Sequence, residues 1–192
     1  MRDDFIESFP KKKLQEIWES TEVEPGVLYI VGTPIGNLGD ISVRALSTLA
    51  QVDTVLAEDT RTSSELLLPF GIKPHYLSFH QHNFRSRIEN VIADLESGKS
   101  IAQISDAGMP TISDPGVELV DACLDAGLEV RVVPGPSASI AKLVWVGCQQ
   151  MILDLLVFCH RKNLINMNSY KILRIIGVLQ FFMKHHIDYY KL

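Results

Sequence analysis

The chain is short of cysteine, of surplus positive charge and of long apolar runs, and each shortage excludes something. Its 192 residues contain three cysteines, Cys123, Cys148 and Cys159, in neither a C-x-x-C pair nor a framework. That argues for reduced, buried thiols and against a disulfide scaffold. Eighteen Lys and Arg face 23 Asp and Glu, for a net charge of −5. Nucleic acid would therefore meet no global attraction, and any RNA or DNA contact requires a local basic patch or a partner. No run of about eighteen apolar residues occurs, so no membrane span is expected. The opening MRDDFIESFPKKKLQEIWES lacks the apolar centre of a secretory signal and is too acidic for an organelle transit peptide. A cytoplasmic protein is expected, with plastid or mitochondrion the alternative if a presequence is missing from this chain.

What is present is the pattern of an α/β domain. Apolar residues make up 46% of a chain long enough to bury a core. Residues 1–24 are polar and are expected to form a flexible extension, with a short helix over Lys11–Ser20. From Gly26, GVLYIVGTPIGNLGD predicts a buried strand running into a glycine loop. DISVRALSTLAQV then places Ile41, Ala45, Leu46 and Leu49 at helical spacing, with Asp40 as the expected N-cap. The alternation continues through a strand at 53–60, a helix at 62–71 stopped by Pro69 and Gly71, and a strand or strand end at 75–83. An amphipathic helix follows at 85–99, a strand at 100–108, a helix at 116–127 and a strand at 128–139. Strand, loop and helix repeated about five times predict a parallel sheet flanked by helices. In such sheets ligands bind at the carboxyl ends of strands. The unusual glycine and proline chemistry lies at those ends, after Val31, Ala57, Ser105 and Val133.

Each of these motifs has its own chemistry. GTPIGN (32–37) fits neither G-x-x-x-x-G-K-[ST] nor G-x-G-x-x-G, which argues against a nucleoside triphosphate. AEDTR (57–61) sets Glu58, Asp59 and Arg61 at a strand end, where the carboxylates could do acid–base work or Arg61 could neutralise one of them. FHQHN (79–83) puts His80 and His82 on one face if extended, but no third ligand at metal-site spacing accompanies them, and no metal is expected. ISDAGMPTISDPG (104–116) repeats an Asp-containing, glycine-closed turn, stiffened by Pro110 and Pro115. A stiff loop with free amides and carbonyls can cradle a polar small molecule, and Gly116 opens a helix whose free N–H groups favour an anionic group.

Together LYIVGTPIGNLGDISVRAL, AEDTRTSSELL, LSFHQHN, ISDAGMPTISDPGVELV and VVPGPSAS, in that order from Val27 to Ile140, resemble the tetrapyrrole-methylase-like family. Within it they are most similar to the branch associated with 2′-O-methylation of a cytidine in small-subunit ribosomal RNA. The resemblance implies S-adenosylmethionine as cofactor, ribosomal RNA as partner and a homodimer in intact members. It implies cofactor contacts from Thr33, Pro34, Ile35, Gly36 and Asn37, and from Ser105, Asp106, Ala107, Gly108 and Pro110. Ser113, Asp114, Pro115 and Gly116 would extend that wall, and Pro136 and Ser137 would border it. Glu58, Asp59, Arg61, His80 and Asn83 would face the acceptor, with Glu58, Asp59 or His80 as base. A sister corrinoid C-methylase is disfavoured by GTPIGN in place of a G-P-G-D loop, and by AEDTR and SFHQHN. A non-catalytic cofactor-binding remnant is the third reading.

The third reading arises from the tail. After GPSASI the family continues into a second α/β domain, whereas residues 142–192 carry none of its motifs. The frame that joins the third base of each codon to the first two of the next tells what happened. Across Gly147–Ile152 it can encode Leu-Pro-Thr-Asp-Asp, the last aspartate forced by Met151 before Ile152. Across Leu156–His160 it can encode Gly-Phe-Leu-Pro, the leucine forced by Phe158 before Cys159. Across Phe181–Tyr189 it can encode Phe-Tyr-Glu-Ala-Pro-His-Arg-Leu, with glutamate forced by Met183 before Lys184. These are second-domain motifs of the family, in one frame and in order. The expectation is a cofactor-binding domain over 25–141 followed by an out-of-frame tail, and weak or absent methyl transfer by this chain.

Overall fold

The computed structural model describes residues 10–80, 84–110 and 116–145. Five strands, β1 (Val27–Val31), β2 (Thr54–Ala57), β3 (Tyr76–Ser78), β4 (Ile101–Ile104) and β5 (Glu129–Val133), form one sheet in the order β3-β2-β4-β1-β5. Every pairing is parallel, with Tyr29 opposite Ala102 on one side and Arg131 on the other, and Leu56 opposite Gln103. The helices are α1 (Lys11–Glu19), α2 (Val43–Gln51), α3 (Thr60–Leu67), α4 (Phe84–Glu96), α5 (Val117–Asp125) and α6 (Ala138–Trp145).

Strand periodicity divides the core in two. VLYIV of β1 is buried at all five positions, as a strand covered on both faces must be. Val27, Tyr29 and Val31 face a cluster with Ala45, Leu49 and Leu67 of α2 and α3, while Leu28 and Ile30 face Val91, Leu95, Leu119 and Cys123 of α4 and α5. Each fully buried leucine, such as Leu28, Leu49 or Leu119, stabilises the fold by roughly 1.5–3 kcal/mol relative to exposure. Cys123 is buried as expected, and burial pushes its thiol up to about 11. Cys148 and Cys159 lie outside the described residues.

One expectation changes. Asp40 is not the cap of α2: it ends a 3-10 turn, Leu38–Asp40, whose first residue follows an Asn37 cap. Ser42 caps α2 instead, its Oγ accepting from Ala45 N at 3.0 Å, because Ser42 is the polar side chain that sits in extended conformation directly before the first helical residue. Within the expected extension, residues 10–24 include the expected short helix as α1 and hydrogen-bond to the domain. Ser47 Oγ donates to Trp18 O at 2.9 Å and Gln51 Nε2 to Thr21 O at 2.9 Å. Arg131 of β5 then clamps Glu24 through two bonds of 2.6 and 2.7 Å.

The chain divides after Pro136 into two units. Of the second, α6 is described, with the Lys142 ammonium 4.5 Å from the Trp145 ring centroid. The rest of the expected out-of-frame tail lies outside the described residues. Among the described residues no helix is long and apolar enough to cross a membrane.

Candidate functional site at the carboxyl edge of the sheet

Strand order creates the site. From β1 the chain passes through α2 on one face of the sheet to β2; from its neighbour β4 it passes through α5 on the other face to β5. Loops that leave adjacent strands toward opposite faces part at their carboxyl ends, and this switch point is where open α/β sheets take ligands. The two loops here are GTPIGN and ISDAGMP.

They are bound to each other. Thr33 and Gly108 form an isolated antiparallel bridge, with Thr33 N donating to Gly108 O at 2.9 Å and Gly108 N to Thr33 O at 3.2 Å. Thr33 Oγ1 donates to Ser105 O and Gly108 O at 3.1 and 3.3 Å, and Ser105 Oγ points to Ala107 O and Gly108 O at 3.5 and 3.4 Å. Thr33 and Ser105 are buried. Both are among the expected cofactor contacts, and their hydroxyls tie the two loops together at this point. Pro34 and Pro110 are buried beside them, Ile35 and Pro136 are half-buried, and Gly36, Asn37, Asp106 and Ala107 are exposed on the rim. Asn37 Oδ1 accepts from Gly39 N at 2.9 Å, holding the end of the loop.

A second contact closes the wall. A methyl group on Gly32 would lie 2.7 Å from Gly135 N and Cα and 2.6 Å from Met109 Sδ. Gly135 N donates to that sulfur at 3.3 Å. Backbone meets backbone there, which only glycine permits. Gly116 is buried with φ +144°, and a methyl group on it would collide with the Gln103 carboxamide, whose Cδ would be 2.8 Å away. Sequence reasoning passed over Gly32, Gln103, Met109 and Gly135 as site-formers. Gly32, Met109 and Gly135 stood inside the motifs, but nothing in the sequence says which strands are neighbours.

On the other side of β4, the AEDTR turn follows β2. Asp59 caps α3, its Oδ1 accepting from Arg61 N at 2.8 Å, and the Arg61 guanidinium returns to both carboxylate oxygens at 3.2 and 2.9 Å. The Arg61 hydrogen bonds, side chain first and then backbone, hold the Asp59 carboxyl down at about 2. Asp59, one of three expected bases, is paired with Arg61 in this arrangement. Asp59 N also donates to Asp106 Oδ1 at 3.3 Å, tying this turn to the ISDAG turn. Burial raises the Asp106 carboxyl above its ordinary value, and its Oδ2 takes no hydrogen bond among the described residues. Glu58 is half-buried at the end of β2, and His80 is half-buried just past β3, the next strand along. An open groove of about 490 Å³ runs along α3, lined by Thr60, Arg61, Ser64, Glu65, Leu68 and Tyr76.

Of the remaining expected residues, Asn83, Ser113, Asp114 and Pro115 lie outside the described residues, as does His82. Ser137 opens the second unit and is described with it.

Comparison with known proteins places the chain in a family. The family profile described as Tetrapyrrole (Corrin/Porphyrin) Methylases matches residues 27–154. The chain is 56% identical over 113 residues to the ribosomal RNA small subunit methyltransferase I of Thermotoga maritima, covering 59% of this chain and 51% of that protein. It is 51% identical over 122 residues to the protein of the same name from Synechocystis sp., covering 64% of this chain and 44% of that one. The chain thus spans about half the length of the curated relatives it matches. Among solved structures, the uroporphyrin-III C-methyltransferase of Thermus thermophilus superposes with a TM-score of 0.50 at 23% identity, covering 65% of this chain and 53% of that one; that likeness speaks to the fold.

Proposed function

The chain belongs to the tetrapyrrole (corrin/porphyrin) methylases, and from that premise we propose that it is the cofactor-binding part of an S-adenosylmethionine-dependent methyltransferase directed at the ribose 2′-hydroxyl of a cytidine in small-subunit ribosomal RNA. The relatives' shared name supports the substrate class. The observation that carries the reading is the Thr33–Gly108 bridge at the switch point, which joins the two loops into one rigid wall.

That wall suits the cofactor. Its floor is main chain packed on main chain, three of the four residues Gly32, Thr33, Gly108 and Gly135 being glycine, so the wall is thin and stiff. On its rim, Asp106 Oδ2 is available to an α-ammonium group, while Gly36, Asn37 and Ala107 offer backbone groups to a carboxylate. When bound, the cofactor supplies a methyl group made electrophilic by its sulfonium.

The chain's own residues would do three things. The bridged loops fix the position of the cleft, so orientation costs little at the moment of reaction. The Asp59–Arg61 clamp and the Asp59–Asp106 bond hold the acceptor-side turn against the cofactor-side turn. The acceptor hydroxyl must lose a proton, and Glu58, Asp59 or His80 would receive it.

Isothermal titration with S-adenosylmethionine tests the cleft, and absence of binding overturns the reading. Methyl transfer from labelled cofactor to small ribosomal subunits, run against a corrinoid precursor, tests the acceptor; preference for the corrinoid overturns it. The out-of-frame reading of residues from 142 onward leads us to expect cofactor binding with weak or absent transfer.

A further inference from the structure

Among the described arginines, three are engaged. Arg44 donates to Val132 O at 3.3 Å, Arg61 is paired with Asp59, and Arg131 is paired with Glu24 and Glu129. Arg85 and Arg87 have no carboxylate or carbonyl partner among the described residues. Both sit in the opening turns of α4, where the helix dipole disfavours cations. That first turn holds no acidic residue, and the acidic residues Glu89, Asp94 and Glu96 lie toward the other end. The charge of α4 therefore runs opposite to what helix stability asks for, which points to a use other than stability.

Their place is specific. The chain enters α4 directly after β3, as it enters α3 directly after β2, and β2 and β3 are neighbours. Both helices therefore begin at the carboxyl edge, on the side of β4 that carries Glu58, Arg61 and His80. The Arg85 guanidinium lies 5.6 Å from the Phe84 ring centroid. Phe84 is buried and packs edge-on against Phe79, 6.3 Å between centroids. A guanidinium held over an aromatic face keeps its N–H edge free, and that planar fork matches a phosphate group.

We infer that Arg85 and Arg87 form a phosphodiester-binding surface that seats the backbone of single-stranded RNA beside the acceptor side of the cleft, an inference that rests on the RNA reading above. The surface answers a difficulty raised by composition: a chain of net charge −5 needs local positive charge to hold a polyanion. It contributes position and affinity, not base identity.

The test is fluorescence anisotropy of a labelled, cytidine-containing single-stranded RNA oligonucleotide over a salt series. It uses the full chain, the double variant Arg85→Gln/Arg87→Gln, and Lys12→Gln/Lys13→Gln as a control that removes the same charge from α1. We expect the arginine variant to lose affinity on the order of ten-fold at low salt. Its slope of log affinity against log salt should be shallower by about 1.4, since each phosphate neutralised on a single strand contributes about 0.7. Its thermal midpoint should not fall, because cations leave a helix N-terminus. The lysine control should bind as the unaltered chain does. Equal affinity in all three proteins overturns the surface, and so does an equal loss in both variants, which would mark a general charge effect. Failure of the unaltered chain to bind RNA overturns the RNA reading together with this surface. Failure to bind S-adenosylmethionine, with the arginine effect intact, strikes the methyltransferase reading and leaves the surface standing.

Discussion

At the scale of single residues, the cleft depends on atoms that are absent. Gly32 and Gly135 touch through main chain, so a methyl group at either must move a strand end rather than a flexible side chain. Gly32→Ala is expected to destabilise the fold by about 1–3 kcal/mol and to abolish S-adenosylmethionine binding; urea unfolding and calorimetry check this, and unchanged binding would refute the contact's role. Asp59 shows the opposite case, a residue whose carboxyl is held by its neighbours. Its carboxyl, held at about 2 by Arg61, should titrate there by carbon-detected NMR. In Arg61→Leu the midpoint should rise toward the ordinary aspartate range. The sign for stability follows from linkage: a carboxyl depressed on folding stabilises the native state above its unfolded value near 4, and that contribution is lost as pH falls toward 2. A midpoint in Arg61→Leu that stays near 2 would show that something other than the clamp depresses it.

At the scale of elements, much of the chain was legible and its errors were local. Five strands and the helices between them follow from period-two and period-3.6 burial, because a strand covered on both faces must be apolar throughout while a covering helix need bury only a stripe. Helix starts were harder to read. Asp40 and Ser42 are both good capping residues, and only the backbone decides which one stands in extended conformation before the first turn. Ser42→Ala should therefore cost about 1 kcal/mol of stability, whereas Asp40→Ala should change it by less than about 0.5 kcal/mol. Denaturant midpoints of the two variants distinguish them, and the reverse order would restore Asp40 as the cap. The docking of α1 and the residues after it was also beyond sequence reasoning, since α1 buries no residue and the hydrogen bonds from Ser47 to Trp18 and from Gln51 to Thr21 each join residues about thirty positions apart.

At the scale of the whole molecule, the tail and the cleft make one prediction. If residues from about 142 onward are an out-of-frame reading, a chain expressed with that segment returned to the alternative frame should transfer methyl groups to small ribosomal subunits. The present chain should bind the cofactor and transfer weakly or not at all. Equal activity of the two chains would refute this. The motifs, their order and the α/β alternation were determined by sequence alone, because backbone freedom at glycine, rigidity at proline and the burial period are local properties. Strand order was not local. That β4 lies between β1 and β2, and that the loops after β1 and β4 leave toward opposite faces, follows from how the helices pack on the sheet. Only that packing brings Thr33 to Gly108, Gly32 to Gly135 and Asp59 to Asp106, and so turns four separate motifs into one cluster.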